Sequence, residues 1–493
     1  MQASSIPRLN VRGLAPALAA VGLLIAGVLL LVYAVSAAAW LDRPFLGAFL
    51  ERDLTVGPAE SLAGAEWPAL DAGLRQGDRI TALDGADLES VPVAERLGAL
   101  HDLLAQHAPG DAVSVRFERE GGAVPAGARC VGPASPGGAR TCTLSVTLAD
   151  FPVGDFVAFF LPGWIAGAIL WVLAALLFAR RPASPLAQSV TLVAAAFAVL
   201  VAGQFAVLTA QTAAWPWVVA LALSGGLLVV LALEVPYRFA AVEQMPALGV
   251  APAVAALAAG AASATLYGAH DAEISRLGLG LALGTHVLGG AILLAVMLWR
   301  RGRASSLAVR SQSTILIFGA LPALLPIAAW LVALIISGTG VPALAVLTQT
   351  LPALLPLSAL FAVAQGGQLD TDRIAARAGL YAALLALLTL SYFVLVAGVA
   401  ALIGRSMRDL AVSPALIVLA IFGVALAFNP LRQSLQRRID AVYYRARSAY
   451  QPLLEKFSRE VTNAVGLDQV ARLLMHALEA ALAPAHAILF VRD

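Results

Sequence analysis

Long apolar runs recur along this whole chain, and they leave little choice in what it can fold into. About ten of them are long enough to cross a bilayer, which takes roughly 20 consecutive apolar residues per helix. We place them at 14–39, 155–179, 186–209, 215–233, 246–267, 278–299, 313–336, 342–364, 377–403 and 411–428. Hydrocarbon offers no water to bond backbone amides, so such runs become helices. The expected fold class is a membrane all-α protein of about ten transmembrane helices, with one small α+β domain between the first two. Composition agrees, because the chain is 60% hydrophobic and 13% charged; a soluble domain carries about 25% charged residues. The run 246–267, rich in Ala and Gly, is the least apolar of the set.

The charges orient the runs. Arg8 and Arg12 precede the first, which puts the N-terminus in the cytoplasm. Arg180, Arg181, Arg238, Arg300, Arg301, Arg303, Arg310, Arg373 and Arg377 then fall in alternate loops, on the same side. Arg405 and Arg408 break the pattern locally. The first run is long for a signal peptide and reads as an uncleaved anchor. It ends in Ser36-Ala37-Ala38-Ala39, so a cleaved leader is the alternative. The domain plan is then 1–40, N-terminus and first helix; 41–153, a domain outside the cytoplasm; 154–428, nine helices; 429–465, a cytoplasmic helix; and 466–493, the start of a further domain. The net charge is +2 and the basic residues are scattered, so a nucleic-acid partner is not expected. Membrane lipids are the expected surroundings. Arg432, Arg437, Arg438, Arg445 and Arg447 follow the last run, where they can meet anionic headgroups.

Catalytic patterns are missing. The six histidines are His101, His107, His270, His286, His476 and His486, and none has the His-Glu-x-x-His spacing that binds zinc on one helix face. Ser224-Gly225-Gly226 and His286 come nearest to a serine-type pair, but small residues in a membrane helix usually mark close packing. His286 is the one ionisable side chain we place well inside a span, and Glu234 lies at the end of one. Coupled transporters usually carry several such groups. No catalytic residue, metal or cofactor is expected.

The polar insert has its own signature. Pro68 to Asp71 opens a short helix that ends at Gly73; Gly77-Asp78 makes a turn; Arg79 to Leu83 reads as a strand, followed by the tight pair Asp84-Gly85. A helix is expected from Val93 to Gln106. Val113, Val115 and Phe117 alternate with polar residues, as do Leu144, Val146 and Leu148, so both stretches read as half-buried strands. The segment AGLRQGDRITALDG, with Gly73, Leu74, Gly77 and Asp78, resembles the turn pattern of bacterial PDZ domains, and the resemblance covers about 43–149. It implies that an extended peptide, or a protein C-terminus, adds to a sheet edge. By the same resemblance the carboxylate loop is Phe45, Leu46, Gly47, Ala48 and Phe49, close to the membrane face. A PDZ-like fold that packs on the helices and binds no free peptide is the open alternative. Cys130 and Cys142 stand in a Gly-, Ala- and Pro-rich insertion, 120–143. In an oxidising compartment two cysteines alone in one domain usually pair, so a disulfide is expected, with free thiols as the alternative.

The last third carries a second resemblance. Pro356-Leu357-Ser358, Gln368-Leu369-Asp370-Thr371-Asp372-Arg373-Ile374, and Asn429-Pro430-Leu431-Arg432-Gln433-Ser434-Leu435-Gln436-Arg437-Arg438-Ile439-Asp440 resemble the membrane sensor module of bacterial histidine kinases. Gly366-Gly367-Gln368 departs from it, where that family shows bulkier, more basic residues. Residues 466–493 resemble the first helix and strand of a GAF domain, cut short. The resemblance implies a multi-pass protein of the bacterial cytoplasmic membrane, acting as a homodimeric input module whose last helix drives a cytoplasmic output. No phosphoacceptor histidine or ATP-lid sequence accompanies it, so this chain itself is not expected to be an enzyme. The rival reading is a membrane adaptor or scaffold that binds protein C-termini.

Overall fold

A computed structural model describes residues 11–337 and 351–365, apart from short loop segments at 58, 62–64, 121–124, 126, 132–138, 212, 270 and 305; Leu474 is described alone. The expected spans at 377–403 and 411–428, the first part of 342–364 (342–350), the 429–465 helix and the GAF-like segment lie outside the described residues.

Helix α1 (Val11–Leu41) enters a small α+β domain. That domain comprises β1 (Pro44–Phe45), α2 (Pro68–Asp71), β2 (Arg79–Leu83), β3 (Ala86–Asp87), α3 (Val93–Leu104), β4 (Ala112–Glu120), β5 (Arg129–Val131), β6 (Ala139–Thr147) and β7 (Ala149–Asp150). A helical bundle follows: α4 (Val153–Arg180), α5 (Pro185–Leu208), α6 (Ala214–Glu234), the short α7 (Ala240–Gln244), α8 (Ala247–Tyr267), α9 (Ala272–Arg303), α10 (Leu307–Ser337) and, after a 3-10 turn at Leu351–Ala353, α11 (Leu354–Gln365). Seven of the described helices are long and apolar enough to cross a membrane, as in a multi-pass membrane protein: α1, α4, α5, α6, α8, α9 and α10. The Ala- and Gly-rich run expected at 246–267 is among them, as α8.

Five strands of the inserted domain form one antiparallel sheet in the order β3-β2-β4-β6-β5, and β1 pairs separately with β7. Alternation along β4 buries Val113, Val115 and Phe117 against Leu100 of α3 and Leu144 and Val146 of β6. Gly73 and Gly77 take φ of +108° and +91°, the left-handed region that glycine enters without steric cost. Between them Leu74 enters the core. Asp78 is buried where it accepts from the Arg75 amide at 2.7 Å and from Arg119 Nε at 2.7 Å. Arg119 Nη2 reaches on to the Gly73 carbonyl at 2.7 Å, so the turn is clamped to β4. The insertion holding the cysteines contributes β5, where Cys130 lies directly opposite Cys142 of β6, and the two form a disulfide.

In the bundle, α5 is the central helix, packed by α1, α4 and α6, while α6 carries α8 and α9. Small residues let the helices approach. A Cβ at Gly289 would run into the Gly225 backbone, and one at Gly225 would stand 2.9 Å from the His286 Cα, so α6 and α9 cross with backbones in contact.

Candidate functional site

The inserted domain and the bundle meet in a cluster of aromatic rings. Phe45, Phe49, Trp67 and Phe151 come from the domain; Phe159 of α4 and Phe205 of α5 come from the bundle. Ring pairs stand edge to face or offset, with Phe45 and Trp67 centroids at 5.2 Å, Phe49 and Phe159 at 5.5 Å and Phe151 and Phe205 at 6.0 Å. Each such pair adds about 0.5–1.5 kcal/mol beyond the area it buries. A buried carboxylate pins the cluster: Asp155, in the first turn of α4, accepts from Trp67 Nε1 at 2.8 Å and Ser61 Oγ at 3.0 Å. The domain is therefore seated on the helices and does not hang from a tether.

Above this seat lies a small groove, with a cavity volume of about 30 Å³. One wall is α3, through Leu97, Leu100, His101 and Leu104. The other is the segment Pro44 to Leu50, and the ends of α1 and α5 close the groove with Trp40, Arg43, Leu208 and Thr209. Of the five residues expected in a carboxylate loop, Phe45, Leu46, Ala48 and Phe49 line it. Gly47 does not. It turns the chain at φ +95°, so tightly that a Cβ would stand 2.5 Å from the Ala69 amide nitrogen. The loop is fixed from behind, where Leu46 and Gly47 carbonyls accept from the Ala69 and Leu70 amides of α2 at 3.1 and 3.4 Å. The amides of Leu46, Gly47 and Ala48 have no hydrogen-bond acceptor among the described residues.

The segment continues into a tight hairpin, 49–57, with Leu50 opposite Val56. Phe49 accepts from the Gly57 amide at 2.8 Å and the Glu51 amide donates to Thr55 at 2.8 Å, so the alternate peptide groups, those of Leu50, face the other way. That edge, Ala48 to Leu50, is unpaired among the described residues and borders the groove. An unpaired strand edge is a template for another extended chain.

Two titratable groups border the site. His101 faces the edge of Trp40, centroids 5.2 Å apart; burial, aided by the Arg43 charge, lowers its pKa to about 4 and keeps it neutral. Burial, together with neighbouring Asp53 and against the pull of Arg276, pushes the Glu51 carboxyl up to about 7.

The one serine–histidine candidate is also brought together. Ser224 Oγ and His286 Nδ1 are 2.6 Å apart, both fully buried between α6 and α9. The Ser224 hydroxyl is also 2.6 Å from the Leu221 carbonyl of its own helix. His286 Nε2 has no hydrogen-bond partner among the described residues. Neither side chain is exposed to solvent, and the pair reads as a polar cross-link at the close crossing of two helices. Sequence reasoning missed Asp155, a lone acid at a helix start, and Arg300. Arg300 is buried near the end of α9, caps α6 by donating to the Val235 carbonyl at 2.6 Å, and lies 4.1 Å from the Phe239 ring centre. Neither has a motif around it.

Comparison with known protein families, with curated proteins and with solved structures finds no match to this chain.

Proposed function

We propose that this chain is the receiving part of a membrane signalling protein of the bacterial cytoplasmic membrane. Its inserted domain, PDZ-like and held outside the cytoplasm, takes an extended peptide end in the groove, and the bundle carries the resulting change inward to a cytoplasmic output. The observation that carries this reading is the shared construction of the groove: Leu208 and Thr209 of α5 and Trp40 of α1 line it beside Leu50 and α3. A ligand there touches the membrane helices directly. The free amides of Leu46 to Ala48 suit a carboxylate, and the Ala48–Leu50 edge suits β-addition.

The test uses the whole chain in lipid nanodiscs and peptides of one sequence with a free or an amidated C-terminus. Binding of the free-acid form alone supports the reading; equal or absent binding of both counts against it. The adaptor reading, in which C-termini are held without signalling, is favoured by the same free edge. Fusing residues 1–465 to a kinase core separates the two, because peptide-dependent kinase activity belongs only to the first.

A further inference from the structure

The hairpin that forms one groove wall also ends in the helices. At its tip the Arg52 guanidinium donates to the Tyr267 carbonyl at the end of α8, lies 4.5 Å over the Tyr267 ring, and reaches the Ala94 carbonyl of α3 at 3.4 Å. Beside it Asp53, buried, pairs with Arg276 of α9 at 3.0 Å. The tip is held rigidly: Leu54 takes φ of +65°, unusual for a residue with a branched side chain, and Asp53 Oδ1 accepts from the Thr55 amide at 3.1 Å. The return strand is tied to the sheet through Val56 to Asp78 at 2.7 Å and Ile80 to Leu54 at 3.0 Å. One short element thus carries the groove's free edge at Leu50 and, within three residues, contacts to the opposite wall α3, to the end of α8 and to the start of α9.

We propose that the 49–57 hairpin is a two-ended lever: its clasp on Tyr267 and Arg276 restrains the groove, and a peptide added to its Ala48–Leu50 edge loosens that clasp and frees the α8–α9 turn. This rests on the reading of the groove as a peptide site. The physical reason is geometric. A strand inserted between Leu50 and α3 has to move the hairpin away from α3, and Arg52 links the hairpin to both α3 and α8. Coupling of this kind is reciprocal, so what the peptide does to the clasp, the clasp does to peptide affinity.

The experiment uses the full chain in nanodiscs and a fluorescein-labelled peptide GSGSAVLV with a free carboxylate as probe. Binding is measured for the native protein, Arg276→Gln, Asp53→Asn and the charge-keeping Arg276→Lys. Hydrogen exchange over 268–276 is followed in the native protein with and without probe. The expected result is probe affinity about fivefold or more tighter in Arg276→Gln and Asp53→Asn, the lower end of typical allosteric coupling. Arg276→Lys stays near native, and exchange over 268–276 speeds up when probe binds. Unchanged or weaker affinity in the two clasp variants, with exchange over 268–276 indifferent to probe, overturns the lever and leaves the groove reading intact. No binding to the native protein overturns the groove reading and the lever with it. The exchange measurement needs no variant, so the lever stays testable even where a substitution fails to fold.

Discussion

The guanidinium of Arg52 takes two kinds of contact from one residue, Tyr267: it donates to its carbonyl and lies over its ring, 4.5 Å from the centroid. A planar, delocalised guanidinium stacks on the ring while donating in its own plane, a geometry that a compact, strongly hydrated ammonium matches less well. Arg52→Ala is expected to cost about 1–2 kcal/mol of thermal stability, and Arg52→Lys about half as much. Melting of the purified protein in one detergent at fixed pH checks this, and equal losses for the two substitutions would contradict it.

The pH response follows from two groups that pull in opposite senses. Glu51 holds its proton up to about pH 7 in the folded protein, against an ordinary value of 4.5. Between those values the folded state keeps a proton that the unfolded state has released, so this group makes stability fall as pH rises through that window. His101 titrates at about 4 when folded and 6.5 when free. There the unfolded state holds the extra proton, so stability rises with pH over that window and is fully present above it. Each effect is on the order of 3 kcal/mol at most, and they largely cancel between pH 4.5 and 6.5. Denaturation of the native protein should be nearly flat there, while Glu51→Gln should reveal a rise with pH and His101→Gln a fall. A native curve as steep as either variant's would refute the cancellation.

Gly47 should tolerate no side chain. Its φ is +95° and a Cβ would stand 2.5 Å from the Ala69 nitrogen and 2.6 Å from Pro68 Cδ. Gly47→Ala is expected to lower stability by about 1–3 kcal/mol, as for other strained backbone positions, and to abolish probe binding by moving the Leu46–Ala48 amides. Gly77→Ala is the control. That glycine also has positive φ but nothing near its Cβ, and it is not among the residues that line the groove. It should lose stability and keep binding.

Arg119 and Asp78 are both buried, and truncating Arg119 takes the counter-charge from the buried Asp78 carboxylate, leaving it the Arg75 amide. Arg119→Ala is expected to cost about 3–5 kcal/mol. Replacing both residues with apolar ones should restore much of that loss. Urea denaturation of the single and double variants decides it.

Asp155→Ala should strand two donors at once, Trp67 Nε1 and Ser61 Oγ. A buried donor without an acceptor costs about 1–3 kcal/mol. Tryptophan fluorescence should report a changed Trp67 environment, and Asp155→Asn, which keeps an acceptor, should show less of it.

Much of this was legible in the sequence, for reasons that can be stated residue by residue. Runs such as 186–209 and 215–233 read as buried helices, because so few of their side chains can bond water that the backbone has to bond itself. The strand alternation of Val113, Val115 and Phe117 shows which face is covered, and Gly73 and Gly77 mark turns whose φ only glycine takes readily. The insertion at 120–143 is rich in Gly, Ala and Pro, yet part of it pairs as β5, where Cys130 falls opposite Cys142. The seat was not legible. Its rings come from positions as far apart as Phe45 and Phe205, and none sits in a pattern that periodicity detects. Nor was the clasp. Asp53 and Arg276 are separated by 223 positions, and each alone looks like an ordinary surface charge. Ser224 and His286 were visible as a pair of unusual polar residues, but only the crossing of α6 and α9 at Gly225 and Gly289 explains why they meet.

The aromatic seat also sets an order of events during synthesis. Phe45, Phe49, Trp67 and Phe151 leave the ribosome before Phe159, and Phe205 emerges later still, in the third membrane helix. The sheet core of the inserted domain, with its disulfide, contains none of the bundle residues and can close as soon as β7 has been made. The underside of that domain then stays bare until α4 and α5 have entered the bilayer. For that interval the nascent chain exposes a patch of large rings at the membrane surface, which is where a chaperone or an insertase has something to hold.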